Sequence, residues 1–169
     1  MTNFLKKFEK LHPRIEKSPL RKLIGLRQEM SATHNKTGEL WQQFMPRRRE
    51  IQNRSTSDVI SVNLYVEAYF KEFNPDKEFE KWAAAEVTSI KDIPPEMDTL
   101  EIPSGLYAVF NYKGLSTDNS IYQYIFGVWL PDSDYLLDHR PHFEILGEKY
   151  RNNDPNSEEE IWIPIRMKS

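Results

Sequence analysis

Cysteine is absent from all 169 residues, so disulfides, thiolate metal centres and cysteine nucleophiles are excluded; the absence fits a reducing compartment. No apolar stretch approaches the length of a membrane span. The N-terminus places Phe4, Leu5, Phe8 and Leu11 among lysines, without the apolar core of a signal peptide, so a cytoplasmic protein is expected. A basic excess is also missing: the formal charge is −3 and the isoelectric point is near 5.9, which argues against a nucleic-acid binder. No Ser/His/Asp triad signature, phosphate loop or dinucleotide fingerprint appears, and no cofactor is expected. What remains is a chain of single-domain size, 38% apolar and 12% aromatic, rich enough to build a core.

Its pattern is mixed. Residues 1–18 read as an N-terminal extension with a short amphipathic helix over 3–12, ended by Pro13. Leu23–Met30 reads as a strand. A helix capped by Asn35 or Thr37 follows over about 38–51, carrying Leu40, Trp41, Phe44 and Met45, and Pro46 kinks or splits it. Val59–Tyr69 alternates as a strand, Asn74-Pro75-Asp76 turns the chain, and Phe79–Ser89 is a second strand, although its three consecutive alanines also suit a helix. Ile93–Glu96, with two prolines, is the internal boundary. Beyond it the plan repeats: a strand pair over Thr99–Tyr112, a helix from Thr117 or Asp118 to about Leu130 stopped by Pro131, and strands at Phe143–Glu148 and Glu160–Met167. The expected fold class is α+β. Two tandem βαββ halves, about 20–92 and 97–167, are related by a pseudo-twofold, with helices on one side of the antiparallel sheets and a ligand cleft on the other.

Face parity nominates the site. His142, Glu144 and Leu146 point one way along their strand, and Phe143 and Ile145 the other. In the last strand Ile161, Ile163 and Ile165 share a face, opposite Trp162 and Pro164. If the aliphatic faces pack on helices, Glu144 and Trp162 are left together, a carboxylate beside a π-face suited to an organic cation. Tyr65 and Asn63 share the non-aliphatic face of their own strand. Trp82, Phe110 and Tyr107 are further candidates for the lining, with core packing as the alternative. His139, His142 and Glu144 invite a metal, but only two of them are sure to converge, so no metal site is expected. Arg47-Arg48-Arg49 reads as a solvated helix end.

Four segments, taken in order, resemble a known family. They are Ile102-Pro103-Ser104-Gly105-Leu106-Tyr107-Ala108-Val109-Phe110; Tyr124-Ile125-Phe126-Gly127-Val128-Trp129-Leu130-Pro131 with Ser133 and Tyr135; Pro141-His142-Phe143-Glu144-Ile145; and Glu160-Ile161-Trp162-Ile163-Pro164-Ile165. Over Leu20 to Arg166 the chain resembles the GyrI-like effector-binding domains. That resemblance implies a small-molecule ligand and an acidic residue, here Glu144, at the floor of an aromatic pocket, with Trp162 where relatives often carry tyrosine. Relatives serve as ligand sensors of multidrug-responsive transcription regulators, as free-standing drug-binding or gyrase-protecting proteins and, in one branch, as hydrolases. Only about twenty residues precede the domain, too few for a helix-turn-helix unit, so a free-standing binder is expected and direct DNA binding is not. The expected ligand is an amphipathic, cationic, aromatic molecule, held by Glu144, Trp162, Tyr65, Asn63 and Leu146. A hydrolase with Glu144 as general base, or a module that docks on a protein partner, are the alternatives.

Overall fold

Alternating apolar residues set the strands, and the computed structural model describes residues 3–169 of the chain; Met1 and Thr2 of the N-terminal extension lie outside them. The strands are β1 (Arg14–Ser18), β2 (Arg21–Met30), β3 (Val59–Leu64), β4 (Phe79–Glu86), β5 (Asp98–Ile102), β6 (Gly105–Lys113), β7 (Tyr135–Leu137), β8 (His142–Leu146) and β9 (Glu158–Met167). They form one antiparallel sheet in the order β1-β6-β9-β8-β3-β4-β2-β5, with β7 added beside β9. That order is palindromic: exchanging β1 with β5, β2 with β6, β3 with β8 and β4 with β9 reproduces it. Residues 14–18, counted from the sequence as part of an extension, are a strand of the sheet paired with β6.

Two helical runs lie against one face. Helix α1 (Thr37–Phe44) continues as a 3₁₀ segment, Met45–Glu50, with Pro46 in its first turn where a missing N–H costs nothing. Helix α2 (Ser120–Tyr124) passes into a π-helical stretch, Ile125–Trp129, and a last turn, Leu130–Asp132. Asn35 accepts from the Thr37 N–H and Asp118 from the Ser120 N–H, both at 2.9 Å, tying down the two helix starts. The alanine run Ala83–Ala85 is strand, buried on both faces. Its small side chains let α1 lie close to β4, and neighbouring Gly25 on β2 sits so near that a Cβ there would meet Ala84 Cα at 2.6 Å.

Three apolar clusters result. Leu40 and Phe44 of α1 pack with Ile24, Met30, Val59, Ala83, Ala85 and Leu146. Ile121, Tyr124 and Ile125 pack on Ala108, Phe110, Ile161, Ile163 and Ile165. The third cluster fills the opposite face, where the sheet curls until β2 meets β9: Leu23, Ile60, Val62, Trp82, Ile102, Tyr107, Val109, Phe143 and Trp162. Strand β3 ends at Leu64, five residues short of the expected Tyr69. Its partner registers stop there, at Glu80 of β4 and at Asn63 opposite His142 of β8, so no neighbour remains to extend it.

Candidate functional site

Cross-strand partners share a face, and the registers therefore decide what meets Glu144. On β8 and β9 the pairs are Phe143 with Trp162 and Glu144 with Ile161. On β8 and β3 they are Glu144 with Ser61 and His142 with Asn63. Glu144 thus looks toward the helices, alongside the isoleucines of β9, and Trp162 looks away from them. The two residues expected to share a hollow lie on opposite faces of the sheet. The hollow itself is on the helix side, against Tyr122 and Phe126 of the second helical run, and not on the far face.

Trp162 is only 4% exposed. Its ring stacks on Phe143 at 5.1 Å and 18°, and the Arg21 guanidinium lies 4.9 Å from its centroid. Arg21 is in turn held by Glu86 at 2.8 Å. The far face does hold a cation over aromatic rings beside a carboxylate, but the cation is the protein's own. Trp82 and Tyr107 belong to the same buried cluster. The Tyr107 hydroxyl donates to the Pro141 carbonyl at 2.8 Å, and burial pushes its pKa up to about 12. Phe110 is core beneath α2, edge-on to Trp129 at 5.2 Å. Leu146 packs with the α1 cluster. Of the eight residues nominated from sequence, Glu144, Tyr65 and Asn63 come together with their side chains on one face.

Around them stands a group that includes residues parity alone did not reveal. The hollow is bounded by Ser61, Asn63, Tyr65, Tyr122, Phe126, His142, Glu144, Ile161 and Ile163, with Phe143 and Trp162 reaching it from the strands' other face. The Tyr122 hydroxyl donates to Glu144 Oε1 at 2.6 Å. Burial, and then the Glu144 charge, hold that hydroxyl protonated well above the ordinary tyrosine range. Asn63 donates to the Tyr65 hydroxyl at 2.9 Å. Burial raises Tyr65 as well.

The loop from Tyr65 to Glu78 closes the mouth. Phe70 lies 5.4 Å from His142, nearly parallel at 15°, and 5.1 Å from Phe126. Tyr65 meets His142 edge-on at 4.9 Å and Tyr69 at 4.5 Å. Desolvation among these rings pushes His142 down to about 3, so it is a neutral member of an aromatic wall. The enclosed space is about 20 Å³, roughly one water molecule.

Tyr122 and Phe126, four apart on α2 and its π-helical extension, form a second stripe beside the core stripe Ile121 and Ile125; that spacing was visible in sequence. Glu159 was also within reach of parity, since it is two residues before Ile161 and points the same way. Among the described residues no three histidine or acidic side chains come together as a metal would require, and no helix is long and apolar enough to cross a membrane.

Paired βαββ units with both helical runs on one face of a single antiparallel sheet define a domain of the α+β class. The chain belongs to the GyrI-like small molecule binding domain family, whose model matches residues 11–166. It is 29% identical over 157 residues to the transcriptional regulator BrlR of Pseudomonas aeruginosa, a match covering 92% of this chain and 56% of that protein. The chain thus spans about half the length of that curated relative. Among solved structures, the EcmrR C-terminal domain superposes with a TM-score of 0.69 at 14% identity, covering 94% of this chain and 99% of that one. SAV2435, solved bound to tetraphenylphosphonium, gives 0.63 at 15% identity, covering 91% and 93%. At such identities these two likenesses concern the fold.

Proposed function

We propose that this domain binds a lipophilic aromatic cation in the hollow between the Tyr65–Glu78 loop and the helical run 120–132, with Glu144 as counter-charge. The observation that carries the reading is the Glu144 carboxyl group, fixed by Tyr122 at 2.6 Å at the floor of a hollow lined by Tyr65, Phe126 and His142 and capped by Phe70. A cation facing such rings gains about 0.5–2 kcal/mol from each. Pairing with a partly desolvated carboxylate adds about 2–3 kcal/mol. Three rings and one acid therefore suffice for micromolar binding, about −8 kcal/mol, once the cost of association is met.

A ligand of this class occupies several hundred Å³, far more than the present hollow. Entry therefore requires Phe70 to swing out. Phe70 is 42% exposed, and its loop is pinned at its far end, where Thr33 N donates to the Pro75 carbonyl at 3.1 Å. That SAV2435 was solved with tetraphenylphosphonium makes this cation the first probe. Isothermal titration should give micromolar binding by the wild type and a loss of about 30-fold or more in Glu144→Gln, equivalent to about 2 kcal/mol. Undetectable binding by the wild type, or equal affinity in the variant, overturns the proposal.

The water-sized space against Glu144 supports a second reading, a hydrolase in which this carboxylate draws a proton from water. Turnover of an electrophilic ester that stops in Glu144→Gln favours it. Binding without turnover favours the first.

A further inference from the structure

We infer that Glu159 is a second acidic residue of the ligand site and that it gives up a proton shared with Glu144 when a cation enters. The inference rests on the cation-binding reading above and specifies its charge chemistry. Strand β9 carries three consecutive glutamates at its start. Glu158 and Glu160 point away from the helices, and Glu160 accepts from Arg14 at 2.9 Å and from Trp162 Nε1 at 3.1 Å. Glu159, between them, follows the parity of Ile161, Ile163 and Ile165 toward the helices. It is 8% exposed, and its Oε2 is buried without a hydrogen-bond partner.

Glu159 is a diagonal neighbour of Glu144 across the β8–β9 register, on the same face of the sheet. Two carboxylates held side by side away from water repel each other, and one retained proton removes that repulsion. The adjacency and burial of the two acids therefore favour one proton for two carboxyl groups. Burial, and then the contact with Glu144, raise Glu159 far above the ordinary carboxyl range. The titratable groups around this pair come from several elements. Tyr122 comes from α2, Tyr112 from β6 and Tyr65 from the end of β3, all with raised pKa values; His142 of β8 is neutral; Lys81 of β4 is the one cation among them, and burial lowers it. The pair thus holds less negative charge at rest than its two acids can supply, and one oxygen waits without a donor.

An organic cation placed over Glu144 changes that balance. The O–H bond of the shared proton breaks, its electron pair stays on the carboxyl oxygen of Glu159, and the proton passes to the buffer. The site then presents two negative charges. Affinity for a permanent cation should rise about tenfold per pH unit across the range in which the free pair holds its proton and the bound pair does not. A cation carrying a second charge near the first should be preferred as pH rises, because only the ionised pair matches it.

The experiment is calorimetric titration of the wild type with tetraphenylphosphonium, which carries no titratable group, in two buffers of different ionisation enthalpy from pH 6 to 8. About one proton released per cation bound, together with disappearance of a protonated-carboxyl infrared band on binding, is the expected result. Glu159→Gln should bind with affinity flat in pH and release none. Binding by the wild type without proton release overturns the inference and leaves the proposed function standing. Release that persists in Glu159→Gln also overturns it, since the proton then comes from Lys81. The infrared measurement uses the wild type alone and tells carboxyl from ammonium directly. Absence of any binding removes the proposed function and this inference with it.

Discussion

Acid should unlock the aromatic wall through His142. The imidazole is 9% exposed, stacked on Phe70 and edge-on to Tyr65, and burial lowers its pKa from 6.5 to about 3. A group depressed in the folded state stabilises the fold above its unfolded pKa, and that stabilisation is lost as pH falls toward the folded value. Above pH 7.5 the contribution is complete. By pH 5 the unfolded chain has taken up the proton and the folded chain has not, and about 1.5 units at 1.36 kcal/mol each makes roughly 2 kcal/mol lost. At pH 4 the loss is about 3 kcal/mol, and the ceiling is about 5 kcal/mol. Other groups titrate over the same interval, so the useful quantity is a difference. Urea unfolding of the wild type and of His142→Phe, which keeps an aromatic disc without a titratable nitrogen, should give stability curves that diverge below pH 6.5. The wild type should fall about 2 kcal/mol further by pH 5. Parallel curves from pH 7.5 to 4 would refute the burial argument, and with it the description of His142 as a neutral wall of the site.

Two substitutions test the packing on either side of the sheet. Tyr122→Phe removes the donor that holds Glu144 at 2.6 Å; unfolding in urea should show a loss of about 1.5–3 kcal/mol, the range for a hydrogen bond to a charged acceptor, and a change under 0.5 kcal/mol counts against that bond. Trp162→Ala empties the far-face core, so stability should fall by about 3–5 kcal/mol. At temperatures where that variant stays folded, its affinity for tetraphenylphosphonium should change by less than about threefold, under 1 kcal/mol; a larger change would mean that the indole, which borders the hollow from the far face, contributes to binding.

Within a strand, sequence was enough. The alternation of His142, Glu144 and Leu146 against Phe143 and Ile145, and of the three isoleucines against Trp162, appears in the structure as read. The α+β class, the doubled βαββ plan and the break at Pro46 were legible for the same reason: each depends on neighbours in the chain. Pairing between strands does not. A shift of one residue in β8 against β9 would exchange the partners of Glu144 and Trp162, and nothing local to either strand fixes that choice. The alternation of β8 is ambiguous besides, because both of its faces are half or fully covered, one by the curled far-face core and one by α2. The aromatic cap from Tyr65 to Phe70 was concealed by a strand pattern that runs on past the point where β3 loses its partners.

The palindromic strand order carries one further consequence for the site. The β3–β8 register spans five pairs, and Ser61 with Glu144 is the central one, so the axis of the duplication passes between them. Carrying the correspondence outward, Ala83 opposite Ser61 matches Ile161 opposite Glu144, and two residues earlier on each strand Lys81 of β4 matches Glu159 of β9. The duplicated halves thus place an ammonium and a carboxyl at equivalent positions flanking the axis, with a hydroxyl and a second carboxyl on the axis itself. A strictly symmetric seam would set two lysines or two acids against each other, and their repulsion across a partly buried surface would cost several kcal/mol. Divergence of one position to lysine offsets part of the charge that Glu144 and Glu159 bring, and lets two acids stay at the seam in the absence of a ligand. Lys81→Met should therefore remove a positive charge beside the two acids, with tetraphenylphosphonium bound more tightly by about tenfold and the unliganded fold weakened by about 1–2 kcal/mol. Calorimetric titration reads the first and urea unfolding the second. Weaker cation binding in Lys81→Met would show that the lysine supports the site and does not oppose its charge.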